Sequence, residues 1–278
     1  MMSLKKLFGS KIKSEPTNEK VDNEIPLEIK GLISRDKKRN SLFFYNYLNK
    51  IIENGKMYEK FKDQYIKEKN DLALKNISRN LSAKIYVYLT PWYSMGKPIN
   101  SDWQNFYIEN IVYYQLCISQ DLINGSYKHS LKILSLGVLL EIDKKVFEII
   151  SKRFLEESYK DFILDTLLHS QYNDHIISKS LQFPEETYIQ KLAEILNSNS
   201  KLEAEVLIKD ILENYFYTKE NLQSSYNTHN TEFYSGYWAW EVAAVVKVMK
   251  LNDSSFKDNP YYPYDMVHWN DNNVLLID

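Results

Sequence analysis

Residues 234–268 read YSGYWAWEVAAVVKVMKLNDSSFKDNPYYPYDMVH. From Tyr237 to Met249 this stretch is apolar on nearly every side, interrupted only by Glu241 and Lys247. A helix that is hydrophobic all round belongs in a core, not on a surface. The reading is a central helix from about Tyr234 to Leu251, with Trp238, Trp240 and Glu241 in the structural core. The segment after it carries Asn252-Asp253, then Asp258-Asn259-Pro260-Tyr261-Tyr262-Pro263-Tyr264-Asp265. Its two prolines fix φ and hold the chain extended or turned. Tyrosines on such a stiffened loop serve either as packing pegs or as contacts to a partner, where tyrosine is enriched.

Outward from this segment, apolar residues recur with the helical period. Asp36 to Gly55 carries a stripe through Leu42, Phe43, Tyr45, Leu48, Ile51 and Ile52. Asp71 to Tyr93 repeats it until Pro91. Asp102 is read as the N-cap of a helix running to Leu122, before the break at Asn124-Gly125. Lys128 to Leu140 follows, and Asp143 caps the next helix. Tyr159 to Leu168, Thr187 to Asn197 and a helix begun by Ser200 complete the series. No alternating strand pattern is present. Short connections make sequential helices antiparallel neighbours. The expected fold is all-α, an irregular multi-helix bundle of stacked antiparallel hairpins. The division expected is an N-terminal arm over 1–33, a helical domain over 34–155 and a second over 156–278.

Composition removes several function classes. Among 278 residues there are seven glycines, where ordinary usage gives about twenty. Neither a dinucleotide fingerprint nor a Walker run occurs. Cys117 is the only cysteine, so an internal disulfide or a cysteine metal site is ruled out. A reducing compartment, the cytoplasm, is expected. The first residues lack the apolar core of a secretory leader, and no stretch is long and apolar enough to span a membrane. Residues 1–33 read as a polar arm of mixed charge, with a membrane-surface role for Leu4 to Ile12 as the lesser alternative. Charge is uneven. Residues 1–75 carry 17 Lys/Arg and 11 Asp/Glu, whereas residues 201–278 carry 6 and 12. An acidic C-terminal third suits a cationic partner better than a phosphate backbone, so direct nucleic-acid binding is not expected.

Few residues suggest catalysis. Asp161, Asp165 and His169 are spaced to share one helix face, as a metal or acid–base site requires. Phe162, Ile163, Leu167 and Leu168 supply the apolar side of that helix, so the polar stripe is expected to face water. His129, His175, His229 and His268 show no ligand spacing. Cys117 is expected to be a packed thiol. Glu241 among Trp238, Trp240, Val242 and Val245 must be paired, hydrogen-bonded or protonated. Its expected task is to tie the central helix to a neighbour. A deep polar pocket around it would favour an enzyme. No metal and no cofactor is expected.

The run Gly236-Tyr237-Trp238-Ala239-Trp240-Glu241-Val242-Ala243-Ala244, with Asn252-Asp253 and Tyr261-Tyr262-Pro263-Tyr264-Asp265, resembles the C-terminal domain of PoNi-type (polymorphic nuclease immunity) proteins. Val242, Asn252 and Met266 depart mildly from that family's pattern. Tyr93-Ser94-Met95-Gly96-Lys97-Pro98-Ile99 is similar to a shorter turn in the family's N-terminal domain. Together the resemblance covers about Arg35 to Trp269. It implies a soluble, all-α, non-enzymatic immunity protein whose partner is a cognate polymorphic DNase toxin delivered between bacteria. A nuclease site is cationic because it holds phosphates, so its inhibitor should present carboxylates. The expected contact residues are Glu232, Tyr234, Asp253, Asp258, Tyr261, Tyr262 and Asp265. A helical adaptor for some other protein is the alternative.

Overall fold

A computed structural model describes residues 25–118 and 127–271. The regular elements there are helical, and no strand is present among the described residues. The expectations for residues 1–24, including Leu4 to Ile12, and for the helix end at Leu122 lie outside the described residues. Three helices open the fold: α1 (Ser41–Lys67), α2 (Asp71–Ser94) and α3 (Ser101–Cys117). Then come α4 (Tyr127–Leu139), α5 (Lys144–Glu156) and α6 (Phe162–Gln171). The remainder is α7 (Thr187–Leu196), α8 (Lys201–Asp210) continued by a π turn at Ile211–Tyr215, a short α9 (Lys219–Leu222), α10 (Trp240–Met249) and α11 (Tyr264–His268).

Side-chain caps set most of these starts. Asn40, Asn70, Asn100, Asp143, Asp161 and Ser200 each accept from a backbone N–H in the first turn of the following helix. That satisfies at least one orphan donor per helix, and two at Asp161. Asp143 and Ser200 cap as the sequence predicts, but α3 is capped by Asn100 and not by Asp102. Pro91 does not end α2, which runs through it to Ser94.

Helices α1, α2 and α3 pack consecutively, and α2 also meets α4. Helix α10 packs against α4, α6, α7 and α11. It is buried from Trp240 through Val246, as an all-round apolar helix must be. It is shorter than the sequence predicts. Residues 234–239 are not helical, and Gly236 has φ +115°, a conformation that ends helical geometry. Buried apolar residues from Ile29 to Val267 form one contiguous core.

The two sequence stretches that carry the family resemblance meet inside this core. Ser94 Oγ donates to the Ser235 carbonyl at 2.8 Å and accepts from Trp238 Nε1 at 2.8 Å. The Tyr93 ring stands edge-on to Trp238 and Trp240, at 4.7 and 5.3 Å between centroids. Gly96 turns the chain at φ +88°, with the position of a Cβ only 2.0 Å from the Ile33 carbonyl oxygen. Backbone must shift to admit any side chain there. Gly96→Ala is expected to cost about 3 kcal/mol, read as a lowered denaturation midpoint at constant m-value.

Candidate functional site

The loop between α10 and α11 is pinned from inside. Asp253 is buried and accepts from Tyr262 Oη at 2.9 Å and from His268 Nε2 at 2.8 Å. Tyr262 is buried against Phe256. Tyr261 is partly buried, lies parallel to Tyr217 at 5.1 Å, and accepts Ala239 N–H through its carbonyl. Tyr234 is buried and donates to Asp36, which also accepts from the N–H groups of Lys38 and Arg39.

The expected contact set therefore divides. Tyr234, Asp253 and Tyr262 hold the fold together from buried positions. Glu232, Asp258 and Asp265 are exposed. Two of these three have cationic neighbours from the N-terminal part. Glu232 meets Lys50 at 3.0 Å and Asp265 meets Arg35 at 2.5 Å. Arg35 is clamped by the carbonyls of Tyr93 and Lys97 and lies 4.6 Å over the Tyr93 ring. Part of the charge asymmetry along the chain is thus satisfied across the fold.

His268 links the pinned loop to the end of α11. Burial acts to lower its pKa, but its hydrogen bonds and attraction to Asp253 and Asp271 outweigh that, and the net shift is upward. A raised imidazole pKa contributes stability that is complete below the unfolded value, about 6.5, and is lost as pH rises through the folded value. Stability should fall as pH is raised through that window. His268→Gln should flatten this dependence, as read by melting temperature across pH.

The Asp161, Asp165 and His169 stripe does not face water. Asp161 and Asp165 are buried, which corrects the expected solvated face. Asp161 Oδ1 accepts from the N–H groups of Ile163 and Leu164 and from Tyr127 Oη, while Oδ2 accepts from Gln182 N–H. Asp165 accepts from His175 Nε2 at 3.0 Å and from Ser178 N–H. His175 Nδ1 lies 2.7 Å from Ser151 Oγ. This Ser–His–Asp row has the hydrogen-bond order that activates a serine. All three members are buried, so a substrate has no access to the hydroxyl. His169 is tied to the His175 carbonyl instead of the carboxylates. The whole cluster fastens the 172–182 loop onto α6. Among the described residues no three His, Cys, Asp or Glu side chains are grouped to hold a metal ion.

Cys117 is buried, and its thiol is pushed up to about 11 by burial, against the opposing hydrogen bond of Ser82. Beside it, His129 is pushed down to about 3 by burial, with Arg79 and Lys132 acting in the same direction. It stays neutral between Ser82 Oγ at 3.0 Å and Tyr86 Oη at 3.2 Å. A thiol raised this far is a packing group.

Glu241 occupies the wall of a cavity of about 360 Å³. Its Oε1 accepts from Tyr188 Oη on α7 at 2.8 Å, the tie between the central helix and a neighbour that its position calls for. The same cavity is lined by Lys132, Tyr86, Phe216, Tyr237 and Trp240. Lys132 escaped the sequence reading. Its signal was the pair Lys128 and Lys132 at i, i+4 on an otherwise apolar helix. Its ammonium lies 5.2 Å over the Tyr86 ring. Lys132 is exposed, yet protein crowded around its ammonium acts to lower its pKa by desolvation. Glu241 acts to raise it and Lys128 to lower it. Among the described residues, none of the Ser or Thr hydroxyls lining the cavity is hydrogen-bonded to an imidazole or a carboxylate, the arrangement a nucleophile needs.

Residues 159–266 match the family described as PoNe immunity proteins (PoNi), C-terminal. No curated protein matches the chain. Among solved structures, protein PA2201 from Pseudomonas aeruginosa is similar, with a TM-score of 0.60 and 16% identity over 90% of this chain and 96% of that one. At that identity the likeness extends to the fold alone. The matched segment holds the central helix, most of the pinned tyrosine loop and the buried carboxylates of the α6 cluster, so the likeness to PoNi-type immunity proteins rests on the C-terminal part of the chain.

Proposed function

We propose that this protein neutralises a cognate DNase toxin by binding over its cationic DNA-binding surface. The observation that carries the proposal is the PoNe immunity match over residues 159–266. The geometry supports it with carboxylates on one chain segment: Glu232, Asp258 and Asp265 are exposed, and Tyr261 lies partly exposed between the last two in sequence. Asp258 has no ion pair among the described residues. Glu232 holds Lys50 at the surface, where such pairs are weak, and Asp265 turns its exposed carboxylate outward from a half-buried Arg35. A toxin arginine can displace Lys50 from Glu232 at small cost and add to Arg35 at the exposed Asp265. Buried Tyr234, Asp253 and Tyr262 act in this scheme by fixing the loop before binding, which lowers the ordering cost of association.

Co-expression tests the proposal. Cells producing the nuclease encoded beside this gene should survive when this chain is present and die when it is absent. Purified complex should weaken steeply with added salt, since exposed charges are screened within about 10 Å at 0.1 M ionic strength. Death despite well-expressed chain would favour the adaptor reading. An enzymatic reading draws on the cavity at Glu241; it is tested by turnover, which the immunity reading does not predict.

A further inference from the structure

The cavity at Glu241 brings an ammonium and a carboxylate into one chamber without letting them neutralise each other directly. We propose that it is a binding site for a small zwitterion, an α-amino acid with an aromatic side chain, whose carboxylate pairs with Lys132 and whose ammonium pairs with Glu241. The site stands on its own geometry and does not depend on toxin binding.

Each charged group has spare capacity. Glu241 uses Oε1 for Tyr188, and no hydrogen bond occupies Oε2 among the described residues. Lys132 rests on the face of Tyr86 and forms no ion pair there. The two feel each other's field but are not in contact. Lys128, the other cation lining the cavity, is already engaged, by Glu186 at 3.3 Å and by the Asn221 carbonyl at 3.0 Å. The free charges facing the chamber are therefore one positive and one negative. A simple carboxylic acid would satisfy Lys132 but face the like charge of Glu241. A simple amine would satisfy Glu241 and be repelled by Lys132. Only a ligand bearing both groups compensates both: Glu241 is buried, where an uncompensated charge is costly, and Lys132 is exposed and supplies the accessible cation.

Size and wall chemistry narrow the class. About 360 Å³ lies at the small end of small-molecule sites. Phe216, Tyr237 and Trp240 line the cavity, and an aromatic side chain is the apolar group that packs well beside such rings. The charged groups come from α4 and α10, which pack directly on each other, so the spacing between them is set by the core.

Isothermal titration calorimetry on the full chain tests this with L-tryptophan, L-tyrosine and L-phenylalanine, against 3-phenylpropionate and phenethylamine. At least one amino acid should bind saturably. Both single-charge analogues should bind about tenfold more weakly or worse, one decade of affinity. Lys132→Met keeps the stem on Tyr86 and Glu241→Gln keeps an acceptor for Tyr188; each should lose about tenfold or more. Far-UV circular dichroism checks that the variants are folded, and Lys132→Met alone decides if the glutamine variant is not. Three results each overturn the proposal: no saturable heat with any of the three amino acids, equal binding of a single-charge analogue, or affinity unchanged in folded Lys132→Met.

Discussion

Asp161→Ala is expected to destabilise the chain by about 4 kcal/mol, near the upper limit for a single substitution. Four donors converge on this buried carboxylate: Tyr127 Oη, the first-turn N–H groups of Ile163 and Leu164, and the Gln182 N–H. Alanine deletes the N-cap of α6 and strands all four. Each buried orphan donor costs about 1–3 kcal/mol, less where water enters. Asp161→Asn retains one oxygen but points an amide at a donor, so about half the loss is expected. Urea denaturation reads both values. A loss under about 1 kcal/mol for alanine would mean that the loop relaxes and the cluster is not a fastening point.

Glu232→Lys, Asp258→Lys and Asp265→Lys combined should weaken binding to the toxin by about 100-fold, near 2.7 kcal/mol. Most of the change should appear in the association rate, because surface charges steer encounter. The fold should survive, since the exposed Lys50–Glu232 pair contributes at most about 1 kcal/mol and the half-buried Arg35 keeps its two carbonyl acceptors and the Tyr93 ring when Asp265 is replaced. Surface plasmon resonance across salt concentrations separates the effects. At high salt the variant and the parent should converge. Equal affinity at low salt would move the interface away from this surface.

How much of this was legible in the chain depends on residue type. The all-α class followed from helical periodicity and scarce glycine, and the starts at Asp143 and Ser200 followed from their cap residues, whereas the caps Asn40, Asn70, Asn100 and Asp161 were not singled out. The beginning of the central helix was misread because its apolar residues run unbroken through Gly236. Hydrophobicity cannot register a backbone at φ +115°. Asp161 and Asp165 were read as a wet stripe because a helical wheel shows only one helix. The partners that bury them, His175, Ser178 and Gln182, come from a loop with no period. Net charge misled in a related way. The basic N-terminal part and acidic C-terminal part are partly matched to each other through Lys50–Glu232 and Arg35–Asp265. Charge counts along a chain do not say whether opposite charges meet inside or face outward.

The motif residues themselves turn out to be largely the seam of the molecule. Ser94, Trp238, Tyr93 and Trp240 join the two resembling stretches, and Asp253 with Tyr262 pins the loop. A pattern of this kind identifies a family through its fold. On the proposed function, selection of one toxin over another falls to exposed positions outside the pattern, such as Glu232 and Asp258.

The most direct test is a titration of the purified chain into a DNA cleavage reaction run by its neighbour-encoded nuclease. Cleavage should fall linearly to zero near one equivalent of chain, and the DNA should emerge intact. Undiminished cleavage at a large excess of folded chain would contradict the account.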